Sequence, residues 1–185
     1  KLPAIASCHG HYDSIPEMAE ETAEWVSTGL QGLKTGFGKR GNARLGYDHD
    51  RDVAYVKAMR EVLGDKMLMI DNGIANKWDV TDAVRRARAM EEYNLAWIEE
   101  PLGAWDPEGY ANLRAKTTTR IAYGEREWTL EQFERVLATG TVDVNQTCRR
   151  MTDCRAGLAC MSGVCLRLCD PTHPECGKAA CQQGS

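Results

Sequence analysis

Met67-Leu68-Met69-Ile70-Asp71 is an apolar run closed by a carboxylate, and the pattern returns twice further along the chain. Leu95-Ala96-Trp97-Ile98 ends at Glu99, and Ile121-Ala122-Tyr123-Gly124 ends at Glu125. Short apolar runs bounded by polar residues read as buried strands. Between the first two, Val80, Val84, Ala87 and Met90 recur at helical spacing; between the second and third, a shorter helix starts near Pro107. Strands alternating with helices predict βα units around a parallel sheet. In one barrel the three carboxylates would converge on the C-terminal rim, where chemistry sits in such folds. Hard anionic oxygens gathered there suit Mg²⁺. A single acidic residue at a strand end is ordinarily a solvated loop residue, but three in successive units weigh against that.

The alternation extends in both directions. Upstream, Leu2 to Ser7 reads as a strand, and Ser14, Pro16 and Glu17 resemble a capping box opening a helix with Met18, Thr22, Trp25 and Val26 on one face. Gly29 to Gly36 is the expected second strand. Asp48, His49 and Asp50 start a helix, where carboxylates favour the macrodipole; Val53, Val56, Met59 and Leu63 form its apolar face and Gly64 stops it. Downstream, Thr129 and Gln132 form a second capping box, Phe133, Val136 and Leu137 face inward, Gly140 ends the helix, and Val142 to Gln146 is a sixth strand. The expected fold is α/β: a partial TIM-type (β/α) barrel of about six βα units, short of the eight that close one.

With 185 residues and 43% hydrophobic content the chain can bury a core. A net charge of -4 and a pI near 5.6 give no electrostatic reason to expect nucleic acid or an anionic membrane as partner, and no run is apolar enough to span a bilayer. Seven of the eight cysteines, Cys148, Cys154, Cys160, Cys165, Cys169, Cys176 and Cys181, lie in a net basic tail. They mark a boundary near Thr147, giving a barrel piece over 1–147 and a cysteine-rich piece over 148–185. Small and polar residues between the cysteines fit a small, irregular, disulfide-rich unit of the secreted type. Zinc is the weaker alternative, because no Cys-x2-Cys pair occurs and only His173 is interspersed. Seven is odd, so Cys8, a partner chain or a free thiol completes the count.

Residues 1–146 resemble the barrel domain of the enolase superfamily, in its mandelate racemase/muconate lactonizing branch. The matching stretches are Gly32-Leu33-Lys34-Thr35-Gly36, Met67 to Asp71, Trp97-Ile98-Glu99-Glu100-Pro101-Leu102, Ile121 to Glu125 and Val142-Asp143-Val144-Asn145-Gln146. The resemblance implies that Asp71, Glu99 and Glu125 bind Mg²⁺, and that Lys34 supports a substrate carboxylate or acts as a base. It also implies a lyase or isomerase acting on a small carboxylate such as an acid sugar, through α-proton abstraction and a metal-stabilised enediolate. His9 and His11 follow the first strand and are further candidates for acid, base or substrate contact, against the plainer reading of solvated loop histidines.

Departures from the pattern are specific. Gly36 stands where the family has its second lysine, and Thr147-Cys148 where it continues to Pro-Asp, so the His-Asp dyad and the preceding capping domain have no counterpart. The expectation is a site that holds Mg²⁺ and a carboxylate with impaired turnover. The alternatives are a secreted cysteine-rich binding or structural module carrying an inactive α/β domain, or a fusion fragment without function. Open barrel edges would call for a covering homo-oligomer or tail. Localisation stays divided: the barrel suggests the cytoplasm and the tail secretion.

Overall fold

The computed structural model describes residues 2–38, 42–73, 77–138, 158–161 and 164–167. The chain divides into two compact units, Lys1–Glu125 and Arg126–Ser185. The expected boundary near Thr147 lies outside the described residues, as do the sixth strand over 142–146 and the Gly140 stop.

The first unit is a five-stranded, wholly parallel sheet whose spatial order follows the chain. Its strands are β1 (Ala6–His9), β2 (Gly32–Phe37), β3 (Met67–Asn72), β4 (Trp97–Glu99) and β5 (Ile121–Ala122). The crossovers are α1 (Ile15–Ser27), α2 (His49–Leu63), α3 (Val80–Met90) and α4 (Pro107–Ala115). Strand β1 starts later than expected: Leu2 is 94% exposed and Ile5 is also exposed, so the apolar run leads into the ladder rather than forming it.

Local chemistry sets the helix limits. Ser14 Oγ accepts from Glu17 N at 3.3 Å and Asp48 from Arg51 N at 2.8 Å, while Asp79 and Asp106 cap α3 and α4 in the same way. Gly64, at φ 56°, ends α2 with its N–H donating to Arg60 O.

Alternation along the strands separates two faces. Leu33 and Phe37 of β2, Leu68 and Ile70 of β3 and Ile98 of β4 are buried in one core with Met18, Val56, Met59, Leu63, Ala87, Met90 and Leu113 of the helices. Phe37 meets Tyr55 and Trp78 edge-on at 5.9 and 6.4 Å. Thr35 also faces the helices, accepting from Tyr55 Oη at 3.0 Å. Lys34, Gly36, Met69, Asp71, Trp97 and Glu99 occupy the alternate positions and so belong to the opposite face.

One polar cluster lies within the helical layer. Arg86 pairs with Asp52, both almost fully buried, and stacks 4.8 Å from the Trp78 ring centroid. Asp52 also accepts from Gly46 N at 2.7 Å, and Trp78 Nε1 donates to Gly46 O at 2.9 Å. These contacts tie the β2–α2 loop to α2 and α3. Burial pushes the Asp52 carboxyl up to about 7, against the pull of the Gly46 N–H and of Arg86.

In the second unit, α5 (Leu130–Ala138) opens with the expected capping box: Gln132 N donates to Thr129 Oγ1 at 3.3 Å and Thr129 N to the Gln132 side chain at 2.9 Å. Val136 is buried, but Phe133, expected to face inward, is 41% exposed. Two stretches of the tail, expected to be irregular, are strands: β6 (Leu158–Met161) and β7 (Val164–Arg167) pair antiparallel. Cys160 stands opposite Cys165 in that ladder. Cys148, Cys154, Cys169, Cys176 and Cys181 lie outside the described residues. Cys8 is a free thiol, half-buried against the core. Among the described residues no helix is long and apolar enough to cross a membrane.

Candidate metal and carboxylate site

Strand register builds the site. His9 pairs with Gly36, Gly36 with Asp71, and Asp71 with Glu99, so four positions from four strands form one row near the carboxyl ends of β1 to β4. In-register residues of parallel strands present their side chains to the same face. Lys34 sits two residues earlier on β2, on that same face. Its ammonium donates to Asp71 Oδ2 at 3.0 Å and to Glu99 Oε2 at 2.6 Å. Trp97 Nε1 also donates to Glu99 Oε2, at 3.2 Å.

Lys34, Asp71 and Glu99 are 22, 22 and 16% exposed, respectively, so charge interactions are only partly screened here. Burial alone would lower the Lys34 ammonium, but hydrogen bonds and charge from Glu99 and Asp71 outweigh it and hold it above its ordinary value. Lys34 is therefore a cation at neutral pH in this arrangement, which favours contact with a substrate carboxylate over the role of base.

Glu125 lies past the end of the ladder. Strand β5 contains only Ile121 and Ala122, with Ala122 opposite Glu99, so Glu125 is an exposed residue three positions beyond the row. Among the described residues no three His, Cys, Asp or Glu side chains are grouped closely enough to hold a metal ion. What the structure brings together is the pair Asp71 and Glu99, with a cation already between them. That donor pair suits a hard divalent cation, and the ammonium marks the place where positive charge is favoured.

His9 is exposed at the end of β1, and its ring lies against Gly36: a Cβ built there would stand 2.7 Å from His9 Cε1 and 3.3 Å from its Cγ, with Nδ1 closer still. His11 is exposed two residues past the row.

Sequence reasoning missed a support beneath the carboxylates. The Lys77 ammonium donates to Asn72 O at 2.7 Å and Glu100 O at 2.6 Å, joining the residues that directly follow Asp71 and Glu99. It also lies 3.5 Å from the Glu100 carboxylate, which is fully buried. Asn72 Nδ2 and Trp78 N both donate to Pro101 O, at 3.1 and 3.0 Å. Glu100 takes φ 41°, the left-handed region, directly after Glu99 ends β4.

The sequence pattern of the Enolase C-terminal domain-like family matches residues 17–149. The chain belongs to the enolase superfamily, in its mandelate racemase branch. An L-talarate/galactarate dehydratase of Salmonella typhimurium is 38% identical over 119 residues, 64% of this chain and 28% of that protein. A 3,6-anhydro-alpha-L-galactonate cycloisomerase of Streptomyces coelicolor is 32% identical over 129 residues, covering 69% and 33%. The crystal structure of an L-talarate dehydratase from Polaromonas, complexed with Mg and L-glucarate, aligns with a TM-score of 0.60 at 31% identity, covering 78% of this chain and 39% of that one. A Streptomyces coelicolor racemase structure contains bound magnesium. The chain spans about a third of the length of the curated relatives it matches. Those two relatives are, by name, a dehydratase and a cycloisomerase.

Proposed function

We propose that residues 1–147 form part of a TIM-type (β/α) barrel, with a sixth strand near Val142–Gln146, that binds Mg²⁺ and a sugar-acid carboxylate. The observation that carries this reading is the Lys34 ammonium held between Asp71 and Glu99 on one row of strand ends. Asp71 and Glu99 would hold the metal, with Glu125 reaching it from the turn after β5. Bound Mg²⁺ would supply positive charge beside the substrate carboxylate, which takes up a second negative charge when its α-proton leaves. Lys34, released from the two carboxylates, would then pair with the substrate carboxylate and orient it. Trp97 keeps Glu99 from swinging away while that exchange of partners occurs. The reaction class is α-proton abstraction leading to dehydration or isomerisation, with galactarate as a first probe because an L-talarate/galactarate dehydratase is among the relatives.

The test is calorimetric titration of the full chain with Mg²⁺, beside an Asp71→Asn/Glu99→Gln double variant and Glu125→Gln. Saturable binding abolished in the double variant and weakened in Glu125→Gln is the expected result. Binding that survives the double substitution would remove Asp71 and Glu99 as ligands and end the proposal.

A second reading concerns the tail alone. The register that sets Cys160 opposite Cys165 supports a disulfide between them over a zinc site, since directly paired positions of antiparallel strands have the backbone spacing that a disulfide spans. Non-reducing peptide mapping checks it: a Cys160–Cys165 linked peptide is expected, and free thiols at both positions after oxidative refolding would refute it.

A further inference from the structure

We infer that His9 is the proton acceptor of the proposed carboxylate chemistry, a role Gly36 beside it cannot perform; this assignment rests on the metal and carboxylate reading above. Abstraction of an α-proton needs a side chain with an available lone pair on the same face as the group that binds the carboxylate. The ladder supplies one candidate. His9 stands in the row that continues through Gly36 to Asp71 and Glu99. Alternation on β1 puts Ala6 and Cys8 against the core beneath the helices, so His9 takes the face of Lys34 and the two carboxylates.

Space supports the same assignment. Cε1 and Cγ of His9 would lie 2.7 and 3.3 Å from any Cβ at Gly36, so the imidazole fills the volume that a side chain on β2 would need. Glycine at 36 and histidine at 9 are thus sterically linked: any larger residue at 36 displaces the ring. The other bases nearby are committed elsewhere or lie off the row. Lys34, which reaches Asp71 and Glu99 here, is assigned above to the substrate carboxylate itself. His49 sits on α2 with Nδ1 2.8 Å from Asp50, and His11 is two residues past the row. His9 is solvent-exposed, so a proton it accepts is free to exchange with water.

The step balances without any further reactant. The C–H bond α to the carboxylate breaks, its electron pair forms a C=C bond to the carboxylate carbon while the C=O π pair moves onto oxygen, and the proton passes to a ring nitrogen of His9. Return of a proton from the imidazolium restores the acid, and in D₂O the returning nucleus is deuterium.

The experiment follows that exchange by proton NMR, using the full chain, Mg²⁺ and galactarate in D₂O, with Mg²⁺ titrated calorimetrically on the same samples. The parent should lose the α-hydrogen signal. His9→Ala should slow exchange by about 100-fold or more while binding Mg²⁺ unchanged, and added imidazole should restore the rate in proportion to its concentration. His9→Gln, which keeps the space beside Gly36 filled, should be as slow as His9→Ala. Imidazole rescue is the readout a merely structural role would not move. Exchange by His9→Gln at the parental rate would overturn the assignment and leave the metal reading intact, and so would a parent that binds Mg²⁺ without exchanging. A parent that fails to bind Mg²⁺ would overturn both.

Discussion

Replacing Lys34 by methionine keeps the length of the side chain and removes the charge that joins Asp71 to Glu99. The ammonium lies 3.0 Å from one carboxylate and 2.6 Å from the other, with all three side chains at most 22% exposed. At an effective dielectric of about 20, a pair of charges at such a distance attracts by about 5 kcal/mol before desolvation. Desolvation and side-chain ordering return much of that, leaving a net contribution of about 2 kcal/mol, between the values for exposed and buried pairs. Lys34→Met should therefore lower the stability of the metal-free protein by about 2 kcal/mol, or about 4–8 °C in melting temperature for a chain of this size. Mg²⁺ should bind more tightly, because it no longer competes with the ammonium; about 2 kcal/mol corresponds to about 30-fold in Kd. Galactarate binding at saturating Mg²⁺ should weaken, since its carboxylate loses a cation. Calorimetry with Mg²⁺ and then galactarate, together with melts at zero and saturating Mg²⁺, reads all three quantities. An unchanged or weaker Mg²⁺ Kd would refute the reasoning, because the ammonium and the metal would then not share the same carboxylates.

Lys77→Met removes the cation bridging the carbonyls of Asn72 and Glu100 above a buried carboxylate and should cost about 2–4 kcal/mol in chemical denaturation; a loss under 0.5 kcal/mol would show the clamp to be dispensable. Asp52 retains its proton up to about pH 7 in the folded chain, against an ordinary value of 3.8. The native state thus binds more protons than the unfolded one between those values, so this residue's contribution to stability falls as pH rises from about 4 to 7. Asp52→Asn should flatten that part of the profile of denaturation midpoint against pH, and an unaltered profile would mean that the carboxylate is ionised beside Arg86 throughout. Burial, with a smaller effect from Glu21, pushes the Cys8 thiol up to about 11 from 9.0. At pH 8 its thiolate is then about 100-fold scarcer than for an unshifted thiol, and iodoacetamide labelling followed by mass mapping should find Cys8 correspondingly slow. Labelling at the rate of a model thiol would contradict that.

Features that depend on neighbours along the chain were readable in advance. The capping roles of Ser14 and Thr129, the helix start at Asp48 to Asp50, the stop at Gly64 and the strand leading to Asp71 all follow from local propensity or period. The parallel order of β1 to β5 followed from the strand–helix alternation. At Leu2 and Ile5 apolar character does not bring burial, because both precede the ladder that begins at Ala6. Arg86 escaped notice because an apolar count along α3 passes over a charged residue, although Arg86 is buried as deeply as the apolar residues beside it. The site divides in the same way. Asp71 and Glu99 are visible as ends of apolar runs, whereas their common contact with Lys34 depends on the register between β2, β3 and β4. The Lys77 bridge, the left-handed Glu100 and the placement of the His9 ring over Gly36 are long-range facts that no local pattern encodes.

The row shared by His9, Gly36, Asp71 and Glu99 has a consequence for how the site fails. Its members stand on rungs of a hydrogen-bonded ladder, and shifting any strand by one residue would turn its member toward the helices. Partial openings that fray loops leave such rungs in place; only separation of the strands dismantles them. Loss of ligand binding should accordingly track the protection of the β2 and β3 amides against hydrogen exchange, with both disappearing in one cooperative event. A site of this kind has no half-formed state for a ligand to rescue, and its tolerance to substitution is set by the sheet as a whole.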